Sequence, residues 1–313
     1  MIIILDTDTH RPESRPSAAV PLLGAALTVP GRPVRLTELL AQVRDDGVAG
    51  GAYLAEVAAA RTVVAAGDNP VLYHAWRDVL PPRAKQAQQH QVPGAAAWFA
   101  DLVVYDGGML PGGREFHRSL GHWNTPAQIE IFQCLSGRVL MLYTIGPTGM
   151  STVDYQVCVA GDHVVIPPGG WHLTVVLDGP AAVFNVYTDA DNLLAGGHTS
   201  RDAARAPNLK YRFMTAPPFT VVTTGREIGV ESTSVDLSAL SLSRRDAAPL
   251  WAAGLLEPAG LSVFYQHATD LDMALLQQQA TQHGHTDNHP VTRHPARGGE
   301  RPGRRRHPSW TGS

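Results

Sequence analysis

The stretch GHWNTPAQIEIFQCLSG at residues 121–137 carries side chains that can bind a metal ion. His122 and Asn124 lie two residues apart, and Glu130 follows six residues after Asn124. Residues two apart on a strand face the same side, so His122 and Asn124 share a face, and Glu130 can return to it from the next strand. Gly137 ends the run, where a tight turn is expected. The stretch predicts a metal site with asparagine where a second histidine would be usual.

A second stretch, GDHVVIPPGGWHLTVV at residues 161–176, predicts a strand, a turn and another strand that begins with His172. This histidine can close the site from a different part of the same fold. Together with His122 and Glu130 it gives two imidazoles and one carboxylate, which hold Fe, Mn, Ni or Zn and leave positions open for substrate or water. We therefore expect a divalent transition metal as cofactor.

The elements around these stretches are short β runs separated by glycine and proline. From Ala97 to Tyr187 they are WFADLVVYD, QIEIFQCL, RVLMLYTI, DYQVCVA, DHVVIPP, HLTVVL and AAVFNVYT. Turn signals at intervals of about ten residues are typical of an antiparallel sandwich or barrel. The sequence therefore predicts a mainly β fold.

The two stretches, in this order, resemble the paired motifs of the cupin superfamily. The last glycine of the first motif and the first glycine of the second are separated by 23 residues. The resemblance implies a double-stranded β-helix, or jelly-roll barrel, with flanking helices. It also implies that His122, Asn124, Glu130 and His172 surround a metal inside the barrel.

The segments LPGGREFHRSLGHWN, IEIFQCLSGRVLML and VFNVYTDA are similar to the cupin-type glucose-6-phosphate isomerases. That family typically carries Gly-x-Glu-Phe-x-x-Thr-x-Gly-His-x-His, then Glu-x-Tyr-x-x-Leu-x-Gly, then Pro-Pro-x-x-x-His. The resemblance covers roughly residues 95–190. It implies an enzyme of glycolysis or gluconeogenesis that interconverts glucose 6-phosphate and fructose 6-phosphate, and it implies a homodimer.

Glu130 would be the catalytic residue of such an isomerase, as a metal ligand, as the base that moves the proton, or as both. The metal would stabilise the enediolate-like charge that develops on the two substrate oxygens. Donors at the rim would hold the phosphate. The residues expected to bind the sugar phosphate are Arg114, Arg118, Ser119, Gly121, Phe132 and Tyr187.

Two departures from the isomerase pattern keep other functions open. Asn124 offers only a neutral amide oxygen, so either metal affinity falls or a water takes that ligand position. Phe132 stands where the family has a tyrosine, so a hydroxyl group is missing. The alternatives are another metal-dependent cupin enzyme, such as an Fe(II) oxygenase or a biosynthetic cupin, and a non-catalytic sugar-binding cupin.

Four segments are expected along the chain. Residues 35–66 show two helical patterns separated by GVAGG, and we expect a helical and extended segment over 1–94 that packs on the barrel. The cupin barrel follows at 95–220, and an extension with further strands and a helix follows at 221–280. Within the extension, FTVVTT and LSVFYQHA are expected as strands and LDMALLQQQA as a helix.

The C-terminal segment 281–313 is dense in Pro, Gly, Arg and His and lacks apolar periodicity. This composition predicts a disordered basic tail. A transition-metal site in HGHTDNH or phosphate contacts by RRR would need a scaffold that the segment does not provide.

Whole-chain composition favours an ordinary globular protein. The 313 residues are 44% hydrophobic, with a net charge of -3 and a pI of about 6.5, which gives no reason to expect nucleic acid or membrane partners. The apolar run at the start is too short for a signal peptide. Cys134 and Cys158 lie in apolar runs and are expected as reduced core residues. We therefore expect a cytoplasmic protein.

Three further histidines, His117, His163 and His198, are not among the predicted metal ligands. A single histidine in a β run is more often an ordinary core or surface residue than a ligand. We expect that role for all three.

Overall fold

The structure is a computed structural model that describes residues 2–8, 28–43, 53–83, 97–124, 128–145, 152–188, 216–233, 236–245 and 260–283. The strands are β1 Ile2–Ile4, β2 Arg32–Arg35, β3 Val71–Trp76, β4 Trp98–Tyr105, β5 His122–Trp123, β6 Glu130–Ile145, β7 Thr152–Val159, β8 His163–Ile166, β9 Gly170–Thr188, β10 Thr220–Thr224, β11 Glu227–Glu231 and β12 Ser241–Arg244. The α-helices are α1 Leu36–Leu40, α2 Val57–Ala65, α3 Gly260–His267 and α4 Asp270–His283, and a 3-10 helix spans Leu237–Ala239.

Two long strands, β6 and β9, form the centre of the main sheet. They pair antiparallel along their length, and each has different neighbours at its two ends. The first half of β6 pairs with β8 and its second half with β7. The first half of β9 pairs with β5 and its second half with β4. This exchange of neighbours wraps the sheet into a barrel and confirms the predicted mainly β, cupin-type jelly-roll fold.

The sheet has nine strands. Seven follow the order β12-β7-β6-β9-β4-β3-β2, and the other two lie off this path, where β5 pairs with β9 and β8 pairs with β6. Its pairs are antiparallel except for β12 with β7, which is parallel. A separate three-stranded sheet has the order β1-β11-β10.

Gly137 does not end a strand, contrary to the expected tight turn. It lies inside β6, where the pairing with β9 shifts register between Cys134 and Val139. Its φ is +74°, and a Cβ atom there would lie 2.6 Å from the carbonyl oxygen of Pro180. Only glycine fits such a position. The bulge bends one continuous strand, so the two runs predicted on either side of Gly137 are joined.

Alternation along the strands divides the buried side chains between the two faces of the sheet. One cluster includes Phe132, Met141 and Val183 and lines the interior of the barrel. On the outer face, a second cluster joins the sheet to α3 and α4, and a third joins it to β10 and β11. Helices α3 and α4 and the small sheet therefore cover the outside of the barrel.

The N-terminal segment contributes to the same interior cluster. Leu36 and Leu39 of α1 are buried there, and Leu54 before α2 joins them. The predicted breaker GVAGG lies outside the described residues. Strands β2 and β3 extend the barrel sheet itself through β4. The four predicted segment boundaries stay predictions.

The predicted extension contains one error. FTVVTT forms β10 and LDMALLQQQA lies in α4, as expected, but LSVFYQHA forms helix α3. Leu261 and Tyr265, four residues apart on α3, are both buried against the sheet. Four-residue spacing aligns side chains on one face of a helix, and a short apolar run does not distinguish this from a strand.

Residues 281–283, the first three of the predicted tail, complete α4. The rest of the tail, 284–313, lies outside the described residues. Cys134 and Cys158 are buried and not disulfide-bonded, which confirms them as reduced core residues. Within the described ranges, no helix has the length and apolar character needed to span a membrane.

Candidate metal site

Three predicted ligands, His122, Glu130 and His172, come together from β5, β6 and β9. His122 lies directly opposite His172 in the β5–β9 pair. The potential ligand atoms of the three residues all lie within 4.8 Å of one another. Glu130 Oε2 is 3.6 Å from Nε2 of each histidine. The structure therefore brings the three side chains together as the sequence predicts, while their role as ligands stays a prediction.

The site is buried on one side and accessible on the other. The side chains of Glu130 and His172 are 2% and 3% exposed, whereas that of His122 is 42% exposed. The two imidazole rings are nearly perpendicular, with centroids 4.1 Å apart. Phe132 packs its ring edge to face with His172, at a centroid distance of 5.1 Å. Solvent or a small molecule can therefore approach past His122.

The carboxylate of Glu130 provides the test of whether a metal fits. Its Oε1 accepts a hydrogen bond from Nδ2 of Asn185 at 2.5 Å. Its Oε2 is buried and has no hydrogen-bond partner among the residues that the structure describes. A buried carboxylate oxygen without a donor or cation is costly. Two imidazole nitrogens beside such an oxygen form a donor set that suits a divalent transition metal.

Asn124 directly follows β5, two residues after His122. Its backbone N–H donates to the carbonyl oxygen of Gly170, two residues before His172. The side chain is buried, and neither its Oδ1 nor its Nδ2 finds a hydrogen-bond partner within the described ranges, which omit 125–127. An amide in this state is available to a ligand or a solvent molecule. Its predicted role at the metal stays a prediction.

Arg114 is directed toward the small sheet. Its guanidinium pairs with Glu231 of β11, and its Nη1 lies 3.8 Å from Oε1 of Glu56. The side chain is partly exposed. A phosphate would have to compete with two carboxylates for this arginine.

Arg118 is buried, although a phosphate donor at the rim was expected. The residue is 2% exposed, and its Nη1 donates to the carbonyl oxygen of Tyr53 and to Thr220 Oγ1. Burial lowers the pKa of the guanidinium to about 10, and the nearby Glu115 carboxylate opposes that shift. The side chain connects the N-terminal segment to β10. Its Nη1 already donates to Tyr53 and Thr220, and a phosphate-binding role for Arg118 stays a prediction.

Ser119 and Gly121 hold the segment before β5 against β9. The backbone N–H of Ser119 donates to the carbonyl oxygen of Thr174, and Ser119 Oγ accepts from the backbone N–H of Thr174. Gly121 has a φ of +74°, and a Cβ atom there would lie 3.3 Å from the carbonyl oxygen of His172. These contacts place His122 opposite His172. Substrate binding by Ser119 and Gly121 stays a prediction.

Phe132 and Tyr187 lie in different parts of the interior. Phe132 contacts the His172 ring, so it lies beside the predicted ligands. Tyr187 is stacked on Phe99 with ring centroids 5.4 Å apart, and its hydroxyl donates to Asp101 Oδ1 at 3.4 Å. Among the described residues, the Phe132 ring contacts His172, whereas the Tyr187 ring contacts Phe99.

Sequence reasoning missed Asn185, which contacts Glu130 directly. The alternation of VFNVYT indicates that Asn185 and Tyr187 share a face, which is the one signal that points to it. The pairing register between β6 and β9 cannot be read from that alternation.

The other histidines fit the predicted ordinary roles where the structure describes them. His163 is buried, and burial lowers its pKa to about 4. His117 is half-buried, and burial lowers its pKa as well, against the opposing charge of Asp106. His198 lies outside the described residues. Neither described histidine belongs to the group formed by His122, Glu130 and His172.

No protein-family model and no curated protein sequence matches the chain. Similar solved structures include oxalate oxidase in complex with glycolate, with a TM-score of 0.28 and 15% identity over 38% of this chain and 52% of that chain. Peruvianin-I, a cysteine peptidase from Thevetia peruviana latex, has a TM-score of 0.28 and 15% identity over 38% and 63%. A cupin 2 conserved barrel domain protein from Salinispora arenicola has a TM-score of 0.25 and 20% identity over 40% and 85%.

The chain spans between half and two thirds of the length of the first two of these structures. Cupin-domain proteins occur among the similar structures. At these TM-scores the likeness carries no argument about activity, and the narrower resemblance to glucose-6-phosphate isomerases stays a prediction.

Proposed function

We propose that the protein is a metal-dependent enzyme that binds a divalent transition metal through His122, Glu130 and His172. The observation that carries the proposal is the state of Glu130 Oε2. This oxygen is buried, lies 3.6 Å from both histidine Nε2 atoms, and has no hydrogen-bond partner in the described part of the chain. A bound cation would satisfy it.

The specific activity that we propose is the interconversion of an aldose phosphate and a ketose phosphate, with glucose 6-phosphate as the first substrate to test. Sequence similarity around both motifs supports this choice. The metal would supply stabilisation of the negative charge that develops on the two neighbouring substrate oxygens. Glu130 would remove the proton from carbon 2 of the aldose and return it to carbon 1, while the proton of the carbon 2 hydroxyl would move to the oxygen on carbon 1, so the carboxylate would end the cycle as it began.

Other residues of the site would shape this reaction. His122 is the exposed ligand, so substrate would enter on its side. Phe132 packs against His172 and excludes water from the buried side. The buried amide of Asn124 would offer its NH2 group as donor and its carbonyl oxygen as acceptor to a substrate oxygen or hydroxyl.

A second candidate is an Fe(II) oxygenase that acts on a small molecule without a phosphate group. Two observations favour it. Two histidines and one carboxylate form the ligand set of non-haem Fe(II) oxygenases. In addition, Arg114 and Arg118, the predicted phosphate donors, are engaged with Glu231 and with Tyr53 and Thr220.

One experiment separates the two candidates. The protein is loaded with Fe(II), Mn(II) or Ni(II) under anaerobic conditions, and glucose 6-phosphate isomerisation is followed by a coupled spectrophotometric assay. Oxygen consumption with the Fe(II) form is measured in parallel. Glu130→Gln is the inactive control, and Glu115→Gln is the matched control, because Glu115 is an equally buried glutamate that accepts bonds from Thr220 and Glu56 instead.

Turnover of the sugar phosphate above the Glu130→Gln level, retained in Glu115→Gln, supports the isomerase. Oxygen consumption without isomerisation supports the second candidate. If no metal binds more tightly to the wild type than to Glu130→Gln, the enzyme proposal fails, and a non-catalytic sugar-binding protein becomes the better account.

A further inference from the structure

The two carboxylate oxygens of Glu130 have different surroundings, and a residue outside the predicted site is responsible. Oε1 accepts a hydrogen bond from Nδ2 of Asn185 at 2.5 Å. Oε2 is 3.6 Å from Nε2 of His122 and of His172. One oxygen is therefore turned toward the amide and the other toward the imidazoles.

Strand register explains why Asn185 makes this bond. The β6–β9 pairing places Asn185 opposite Phe132, two residues along the strand from Glu130. Residues two apart on a strand share a face, so Asn185 and Glu130 are diagonal neighbours inside the barrel. The residue directly opposite Glu130 is Tyr187, whose hydroxyl donates to Asp101 instead. Asn185 is therefore well placed to fix Oε1.

We infer that Asn185 is a positioning residue that holds the Glu130 carboxylate so that Oε2 alone addresses the metal. This inference rests on the proposed function, because it requires that His122, Glu130 and His172 bind a metal ion. The last torsion of a glutamate side chain has a broad, two-fold preference. Without a donor on Oε1, the carboxylate can turn and present both oxygens.

The consequence concerns the number of coordination positions that remain for substrate. A carboxylate that binds through one oxygen occupies one position, and two imidazoles occupy two more. A carboxylate that binds through both oxygens occupies a further position. Asn185 thereby keeps a position open, and because its amide does not titrate, it does so across the working pH range.

A purely structural role makes a different prediction. If Asn185 only satisfies a buried oxygen, its removal lowers stability and leaves metal affinity and coordination unchanged. If it positions Glu130, its removal changes both affinity and coordination. Outer residues that hydrogen-bond to metal ligands typically change metal affinity by about 10–100-fold when they are replaced.

The experiment uses Co(II) as the probe, because its visible absorption reports coordination number and its affinity is measured by calorimetry. Asn185→Leu removes the donor at similar size, and Asn185→Ser is the second variant, too short to reach Oε1. Asn185→Gln keeps an amide donor. Gln133→Leu is the matched control, since Gln133 is a buried amide on β6 that accepts from the backbone N–H of Leu261 in α3.

We expect Asn185→Leu and Asn185→Ser to bind Co(II) about 10–100-fold more weakly than the wild type and to change the Co(II) absorption spectrum. Asn185→Gln should recover most of the lost affinity. Gln133→Leu should lower the Tm of the metal-free protein and leave affinity and spectrum as in the wild type. The inference is overturned if Asn185→Leu or Asn185→Ser folds and binds Co(II) with the affinity and absorption spectrum of the wild type.

The same Co(II) titration distinguishes failure of this inference from failure of the proposed metal site. If the wild type binds Co(II) no more tightly than Glu130→Gln, the proposed metal site fails, and the inference fails with it. If the wild type binds Co(II) and Asn185→Leu matches it, the metal site stands and only the role of Asn185 is overturned.

Discussion

Two buried carboxylates inside the same barrel, Glu130 and Asp101, differ in how completely the protein satisfies them. Asp101 is fully buried, and its Oδ2 accepts from Nη1 of Arg77 at 2.5 Å. Its Oδ1 accepts from the backbone N–H of Asp78 at 3.0 Å and from the Tyr187 hydroxyl at 3.4 Å. Glu130 is equally buried, yet its Oε2 has no donor among the described residues.

The hydrogen bond from Asp78 to Asp101 comes from a residue with an uncommon backbone conformation. Asp78 has a φ of +51°, in the left-handed region that residues other than glycine seldom adopt. This conformation accompanies the donation of its N–H to Asp101. The fold thus accepts local strain to satisfy one buried acid and leaves an oxygen of the other beside two imidazoles. The difference favours a structural role for Asp101 and supports the proposed ligand role of Glu130.

The largest expected effect separates the two acids by metal affinity. Glu130→Gln should weaken Mn(II) binding by about 100-fold or more, because a neutral amide supplies no ligand charge. Asp101→Asn should leave the affinity essentially unchanged. Isothermal titration of both variants measures this, and an equal loss in the two would erase the distinction between them.

The second prediction concerns the stability of the metal-free protein, where Asp101→Asn is expected to have a larger effect than Glu130→Gln. In metal-free protein, Asp101→Asn should lower the free energy of unfolding by about 1–3 kcal/mol, since Arg77 loses its charged partner but can still reach solvent. Glu130→Gln should leave it unchanged or raise it, because a neutral amide replaces a buried carboxylate whose Oε2 has no hydrogen-bond donor among the described residues. Urea denaturation with a chelator present tests both. Greater destabilisation by Glu130→Gln would contradict the comparison.

The third prediction concerns the contribution of position 124 to metal affinity. Asn124→His should raise Mn(II) affinity by about tenfold, which corresponds to about 1.4 kcal/mol, because imidazole binds transition metals better than a neutral amide oxygen. Calorimetry against the wild type measures the change. An unchanged affinity would show that position 124 does not address the metal.

The smallest effect concerns a buried base away from the ligands. Burial lowers the pKa of His163 from its ordinary 6.5 to about 4, so the folded protein binds this proton less readily than the unfolded chain. Its stability contribution is complete above pH 6.5 and is lost as pH falls toward 4, by at most about 1.4 kcal/mol per pH unit.

The measurement for His163 is the free energy of unfolding of the metal-free protein between pH 7 and pH 4. His163→Gln should show a shallower decline than the wild type. His267→Gln, which alters an exposed histidine of α3, should keep the wild-type slope. Identical slopes for the wild type and His163→Gln would show that His163 does not titrate as its burial implies.

The candidate site was predictable from sequence where spacing alone determines geometry. His122, Glu130 and His172 were recognisable because two motifs in a fixed order carry them. The burial of Arg118 could not be predicted, because it depends on contacts with Tyr53 and Thr220, which are distant in sequence. Contacts of that kind follow from tertiary packing, which no local pattern encodes.

The fold shows the same division. Strand alternation and turn signals predicted the barrel, but the bulge at Gly137 and the helix at Leu261 and Tyr265 were not predicted. Asn185 was missed because its contact with Glu130 requires the β6–β9 register, and that register includes shifts at the bulge. A one-residue slip would turn Asn185 to the other face.

The most direct test of the central claim is the anomalous scattering of a crystal soaked in Mn(II). We predict one strong peak at roughly 2.0–2.2 Å from Nε2 of His122, Nε2 of His172 and Oε2 of Glu130, and its absence in Glu130→Gln crystals treated in the same way. No peak at these three atoms, or a peak of equal strength in the variant, would contradict the account.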